Sequence, residues 1–204
     1  MPRPLILNIS EQNPDKKLLQ QAADVLKEGG IIAFPTETVY GIGCLLSYRK
    51  SIERIYSIKG RDFNKPLAVY LSNTNALRDE AKEISVSAEK LIRKFLPGTL
   101  TIILFNKENV PTGYRISPHK VLLSLLEILP VPMVGTSANK SGEKDSITAS
   151  EVIVSLGDKL DLIIDSGVCL ERVPSTVVDC TSDPPIILRE GKIRKQEIYL
   201  ELDK

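Results

Sequence analysis

Tryptophan is absent from the 204 residues, histidine occurs once (His119), and cysteine three times, at Cys44, Cys169 and Cys180. That inventory excludes a zinc site built from cysteine and histidine, because the cysteines lie far apart and show no C-x-x-C pairing. An odd number of dispersed cysteines also argues against a disulfide framework and for a reducing compartment, with each one a small buried apolar residue. A serine or cysteine triad would have to use His119. Charge of one sign is equally scarce. The 27 lysines and arginines against 26 aspartates and glutamates leave a net charge of +1, so any nucleic acid or membrane partner must be held by a local patch. No segment approaches the roughly 20 apolar residues of a membrane span. Within Met1 to Ser10 the Leu5-Ile6-Leu7 run, preceded by Pro2 and Pro4, is too short and wrongly flanked for a signal peptide. The expectation is a cytoplasmic globular protein with one domain over residues 1–204.

What the chain does have is a concentration of cations on one short segment. Lys59-Gly60-Arg61-Asp62-Phe63-Asn64-Lys65-Pro66 sets three cations and an amide within seven residues, directly before an apolar run. Gly60 and Pro66 punctuate it, so it reads as a loop leaving a helix over Ser51 to Ile58 and entering a strand over Leu67 to Leu71. Arginine grips phosphate or carboxylate with a planar fork and lysine supplies a mobile point charge, so the pair suits a polyphosphate. A solvated basic loop has the same composition. Further basic groups occur at Arg93-Lys94 and across Arg189, Lys192, Arg194 and Lys195.

Helical and strand patterns alternate along the chain. A helix starting at Asn13 or Asp15 runs through Leu26 to the exit at Gly29-Gly30, and Ile31 to Phe34 follows as a buried strand. Pro35 to Gly43 reads as a polar, glycine-closed loop at that strand's end, where α/β folds place ligands. Thr36 and Thr38 in it are equally suited to satisfying turn backbone groups. Asn73 to Arg78 and Ser85 to Phe95 are helical, Leu96 to Thr99 is a break, and Leu100 to Phe105 is a strand. After a loop over Asn106 to Gly113, Tyr114 to Ile116 is a short strand that points Arg115 away from its apolar neighbours. Val121 to Leu129 is helical and Val131 to Val134 a strand. That strand empties into Gly135 to Gly142, a run of small hydroxyl and amide side chains fit either to wrap a phosphate or to form an ordinary surface loop. Thr148 caps a helix over Ala149 to Leu156. Strands over Leu162 to Asp165, Ser175 to Asp179 and Ile186 to Leu188 close the pattern, with Gly167 to Pro174 a loop between the first two. Short turns in this closing stretch favour antiparallel pairing, so the order implies an α/β sandwich with a mixed sheet rather than a doubly wound one. Thr36, the Lys59 to Lys65 loop, Arg115, Ser137 to Asn139, Ser175 and Arg189 would converge on one concave face.

Six blocks carry a resemblance: P-T-E-T-V-Y-G-I-G at Pro35 to Gly43, K-G-R-x-x-x-K-P-L at Lys59 to Leu67, L-P-G-T-L-T at Leu96 to Thr101, S-A-N-K-S-G at Ser137 to Gly142, P-S-T-V-V-D at Pro174 to Asp179 and L-R-E-G at Leu188 to Gly191. In that order they resemble the YrdC/TsaC family, in its short form, over about residues 15 to 195. The resemblance implies a twisted mixed parallel/antiparallel sheet with flanking helices and a large concave basic face. It also implies the activity of an L-threonylcarbamoyladenylate synthase, which joins L-threonine, bicarbonate and ATP and releases pyrophosphate. The product is the activated carbamate used, through downstream transfer enzymes, to modify the adenosine beside a tRNA anticodon. By position it assigns Thr36, Tyr70, Arg115, Gly135 and Ser175 to threonine, and Lys59, Arg61, Ser137, Asn139, Ser146 and Arg189 to ATP with its Mg2+, Lys59 and Arg61 being catalytic. No metal-ligating side chains are assigned.

The chain departs from the family pattern at Tyr70, where many members have histidine, at Ser117 and Asp62, where they have proline, and in Glu143 to Thr148. Two other readings stand beside the synthase. One is a module that binds double-stranded RNA or tRNA without catalysis, whose affinity would fall with salt and ignore ATP. The other is a carbamoyl-adenylate domain like those in hydrogenase-maturation and carbamoyltransferase proteins.

Overall fold

The computed structural model describes residues 3–204; Met1 and Pro2, the start of the stretch read against a signal peptide, lie outside the described residues. Among the described residues ten strands form one sheet: β1 (Leu5–Asn8), β2 (Ile32–Phe34), β3 (Gly41–Leu45), β4 (Ala68–Tyr70), β5 (Leu100–Phe105), β6 (Pro111–Arg115), β7 (Met133–Ser137), β8 (Leu162–Asp165), β9 (Thr176–Asp179) and β10 (Ile186–Arg189). Their order across the sheet is β1-β8-β2-β3-β7-β4-β6-β5-β9-β10. Four pairings are parallel (β1·β8, β8·β2, β4·β6 and β5·β9) and the other five antiparallel, which makes the sheet mixed. The closing pair β9 and β10 is antiparallel, as the short turn between them implies.

Among the described residues seven α-helices flank the sheet: α1 (Lys16–Lys27), α2 (Arg49–Lys59), α3 (Thr74–Glu80), α4 (Val86–Phe95), α5 (Lys120–Glu127), α6 (Ala149–Leu156) and α7 (Lys195–Leu202). Local chemistry sets their ends. Asp15, Asn73, Ser85 and Thr148 each accept first-turn backbone N–H groups, and Gly60 closes α2 in the left-handed region at φ 58°. Among the described residues no helix is long and apolar enough to cross a membrane.

Strand alternation splits the apolar residues between the two faces. Ile32, Phe34, Leu162 and Ile164 pack with Leu19, Ala22, Ala23 and Leu26 of α1 and with Val121, Leu122, Leu125 and Leu126 of α5. Ala33, Ile42, Val69, Ile102, Tyr114, Val134, Ile163 and Val178 face the opposite way, into a larger core shared with α2, α4, α6 and α7.

Three expectations need correction. Gly41 to Gly43 and Gly135 to Ser137, read as loop, are central strands paired to each other, Gly43 opposite Gly135. A Cβ on Gly43 would meet the Val134 carbonyl oxygen at 2.6 Å and one on Gly135 the Ile42 oxygen at 2.5 Å, so this approach of two backbones requires glycine. The strand expected only from Tyr114 begins at Pro111. Terminal elements β1 and α7, read as no element at all, complete one edge of the sheet and cover α4.

Candidate active site

Helices α1 and α5 occupy one face of the sheet over β1, β8 and β2; the remainder of that face, from β7 to β9, is the floor of a cavity of about 430 Å³. The floor follows strand periodicity: Ala68 and Tyr70, Thr101 and Ile103, Gly113 and Arg115, Gly135 and Ser137, Val177 and Asp179 are all pairs two residues apart. Tyr70 marks the border between covered and open sheet. Its ring meets Phe34 edge-on at 5.1 Å, and burial raises its pKa. The walls come from the β2–β3 turn (Thr36, Thr38), the α2–β4 loop (Arg61, Asn64, Lys65), Pro174 and Ser175 ahead of β9, and Arg189 at the end of β10.

Eight of the residues expected at the site therefore line one cavity: Thr36, Arg61, Tyr70, Arg115, Gly135, Ser137, Ser175 and Arg189. Most are already engaged. The Thr36 hydroxyl donates to the Val39 carbonyl at 2.6 Å and accepts from Thr38 N and Val39 N, so it builds its own turn as well as lining the cavity. Arg61 donates to the carbonyls of Lys65 at 2.9 Å and Pro66 at 3.2 Å, curling the basic loop onto itself. Arg189 donates to the Ser175 carbonyl at 2.8 Å, and Ser175 shares a hydrogen bond with Thr101 at 2.8 Å.

Arg115 is different. It is 3% exposed, donates through Nη2 to Glu37 and, at 3.1 Å, to Thr38, and keeps its Nη1 buried with no partner. Arg115 thus lines the cavity while one of its donors stays unsatisfied by the protein itself.

Lys59, Asn139 and Ser146 do not line the cavity but sit behind it. Lys59, also 3% exposed, donates to the backbone oxygens of Ser137 and Asn139 and to Asn139 Oδ1 at 3.1 Å. Ser137 donates to the same Oδ1 at 2.6 Å, Asn139 Nδ2 to the Glu143 carbonyl at 2.7 Å, and Ser146 to the Ala138 carbonyl at 2.7 Å. Burial, reinforced by Arg61 and opposed by Asp145, lowers the Lys59 pKa to about 8.

Residue-by-residue reading missed Glu37, Thr38 and Thr101 as members of the site, whereas Lys65 was expected there with its loop. Glu37 had a signal: it is the one acid in the loop facing a buried arginine that needs a counterion. Thr101 had none, since its place depends on β5 lying beside β9.

An open mixed sheet whose uncovered face gathers Arg61, Lys65, Arg115 and Arg189 among hydroxyls defines a binder of small anions, of carboxylate and nucleotide type. The chain belongs to the Sua5/YciO/YrdC family: that family's profile, described as telomere recombination, matches residues 24–191. It is 37% identical to the threonylcarbamoyl-AMP synthase of Pyrococcus abyssi over 95% of this chain and 59% of that protein. A putative threonylcarbamoyl-AMP synthase of Methanocaldococcus jannaschii is 36% identical over 95% of this chain and 96% of its own length. The crystal structure of P. abyssi Sua5 complexed with L-threonine superposes with a TM-score of 0.91 at 34% identity, covering 97% of this chain and 60% of that one. The chain thus spans about three fifths of the P. abyssi protein.

Proposed function

We propose that the chain is a threonylcarbamoyl-AMP synthase of the cytoplasm that joins L-threonine, bicarbonate and ATP. The observation that carries this reading is the buried Arg115 guanidinium with one unspent donor beside the cavity. An amino-acid carboxylate satisfies that donor and takes its position from it. The names of the P. abyssi and M. jannaschii relatives and the threonine complex of the former support the same assignment.

Threonine takes the part of the cavity formed by Thr36, Tyr70, Arg115, Gly135 and Ser175, and the nucleotide the part formed by Arg61, Lys65, Ser137 and Arg189. Bicarbonate loses hydroxide to give CO2, the threonine amine attacks its carbon, and the proton the amine sheds joins that hydroxide as water, giving a carbamate. A carbamate oxygen then attacks the α-phosphorus, the bond from that phosphorus to the bridging oxygen breaks, and pyrophosphate leaves with the electron pair. Both steps turn on positioning anions and neutralising their charge, which arginine and lysine do without a histidine base. Among the described residues no group of three or more His, Cys, Asp or Glu side chains is placed to hold a metal. Mg2+ enters as part of the substrate MgATP, where it neutralises phosphate charge. The product supplies downstream enzymes that modify the adenosine next to the tRNA anticodon.

The test is pyrophosphate release by the purified chain from MgATP and bicarbonate with amino acids added in turn. Release dependent on both L-threonine and bicarbonate is expected. No stimulation by any amino acid, together with salt-sensitive and ATP-indifferent binding of duplex RNA, would replace the enzyme by an RNA-binding module.

A further inference from the structure

The orientation of Arg115 is itself controlled. Glu37, with a side chain 12% exposed, divides its carboxylate between two donors: Oε1 takes Arg115 Nη2 and Oε2 takes the Ser117 hydroxyl. Ser117 is fully buried, and its oxygen accepts from His119 N at 3.3 Å, which leaves its proton for Glu37. The Glu37 backbone is fixed as well, its carbonyl accepting from Glu171 N at 3.0 Å. Both Nη2 protons are consumed by Glu37 and Thr38, so the guanidinium is held at one corner while Nη1 stays buried and unpaired.

We propose that Glu37 and Ser117 are positioning residues for carboxylate recognition: Glu37 fixes the plane of the Arg115 fork, and Ser117 fixes Glu37. Together they let this chain distinguish an amino acid from its uncharged amide. The inference rests on the function proposed above and names a specificity device within that site.

The test measures, on the full chain, calorimetric affinity for L-threonine and for L-threoninamide, and the KM and kcat of pyrophosphate release. For Ser117→Ala, L-threonine binding should weaken about tenfold, as for a lost hydrogen bond to a charged group, with threoninamide binding little changed. The KM for L-threonine should rise in step and kcat change by less than about twofold. Ser117→Thr, which restores the hydroxyl, should recover most of the affinity. Because Ser117 acts through Glu37, the double variant Glu37→Gln with Ser117→Ala should bind L-threonine no worse than Glu37→Gln alone, within about twofold. Should Glu37→Gln fail to fold, the Ser117 pair decides the matter. Wild-type affinity in Ser117→Ala, or equal losses for acid and amide, overturns the proposal. A wild-type chain that binds L-threonine without releasing pyrophosphate overturns the synthase and leaves the positioning roles to be judged on these affinities. One that binds no L-threonine overturns both.

Discussion

Arg115 and Lys59 are equally buried cations of one site, yet they spend their donors in opposite ways. Arg115 satisfies part of its fork within the protein and keeps Nη1 in reserve. Lys59 gives hydrogen bonds to three oxygens of the Ser137 to Asn139 segment, which matches the three protons of an ammonium. The first arrangement suits a ligand not yet bound, whereas the second is complete without one. The lesson is that a cation in a motif can be there to shape a loop. In this structure the positive charges on the cavity surface belong to Arg61, Lys65, Arg115 and Arg189, with Asp179 the acid among the lining residues.

The contrast is most exposed to failure at Arg115. Arg115→Lys keeps the charge but not the fork, and kcat/KM for L-threonine in pyrophosphate release should fall on the order of 100-fold or more. A loss below about threefold would show that the unspent donor is not used. Next, Lys59→Met should destabilise the fold by about 2–4 kcal/mol in chemical denaturation, because several buried oxygens lose their donor. Arg61→Ala should cost under about 1 kcal/mol while raising the KM for ATP roughly tenfold. The reverse pattern, with Lys59→Met stable but unable to use ATP, would return Lys59 to the phosphates.

Titration sharpens the same point. The Lys59 pKa of about 8 in the fold lies below the ordinary 10.5, so between these values the unfolded chain binds more protons. Stability contributed through this group therefore rises with pH across that window, by at most about 1.4 kcal/mol per unit. The wild type should gain on Lys59→Met between pH 8 and 10.5, a trend read from paired denaturation curves. The smallest effect on activity is expected for Ser146→Ala, which should lose about 1 kcal/mol of stability for its single bond to the Ala138 carbonyl and leave the KM for ATP unmoved.

Local chemistry made much of the chain legible. Thr148 and the apolar spacing after it specify α6 over Ala149–Leu156, and β5 and β8 fall where β-branched runs place them. What escaped was decided by partners distant in sequence. Leu5–Asn8 is a strand because β8, more than 150 residues away, pairs with it, and nothing within the segment says so. Lys195–Leu202 buries only Ile198, too weak a stripe to announce a helix. Glycine misled in a particular way: at Gly43 and Gly135 it marks two backbones pressed together rather than a turn. The site was visible as a set of residues, eight of which meet in the cavity, but not as a division of labour. Whether a lysine faces ligand or loop depends on which carbonyls surround it, and sequence does not record that.

The place of β8 has a consequence for how the molecule is made. This strand lies between β1 and β2, so the first two strands of the chain remain without the neighbour that joins them until residues 162–165 have left the ribosome. The cavity floor waits longer still, for β9, which completes it beside β5. Nascent chains short of the final third hold open strand edges and an incomplete core, and the whole sheet closes late, through contacts of large sequence separation. Synthesis and assembly of this protein are thus nearly sequential events, with the ligand site among the last parts to exist.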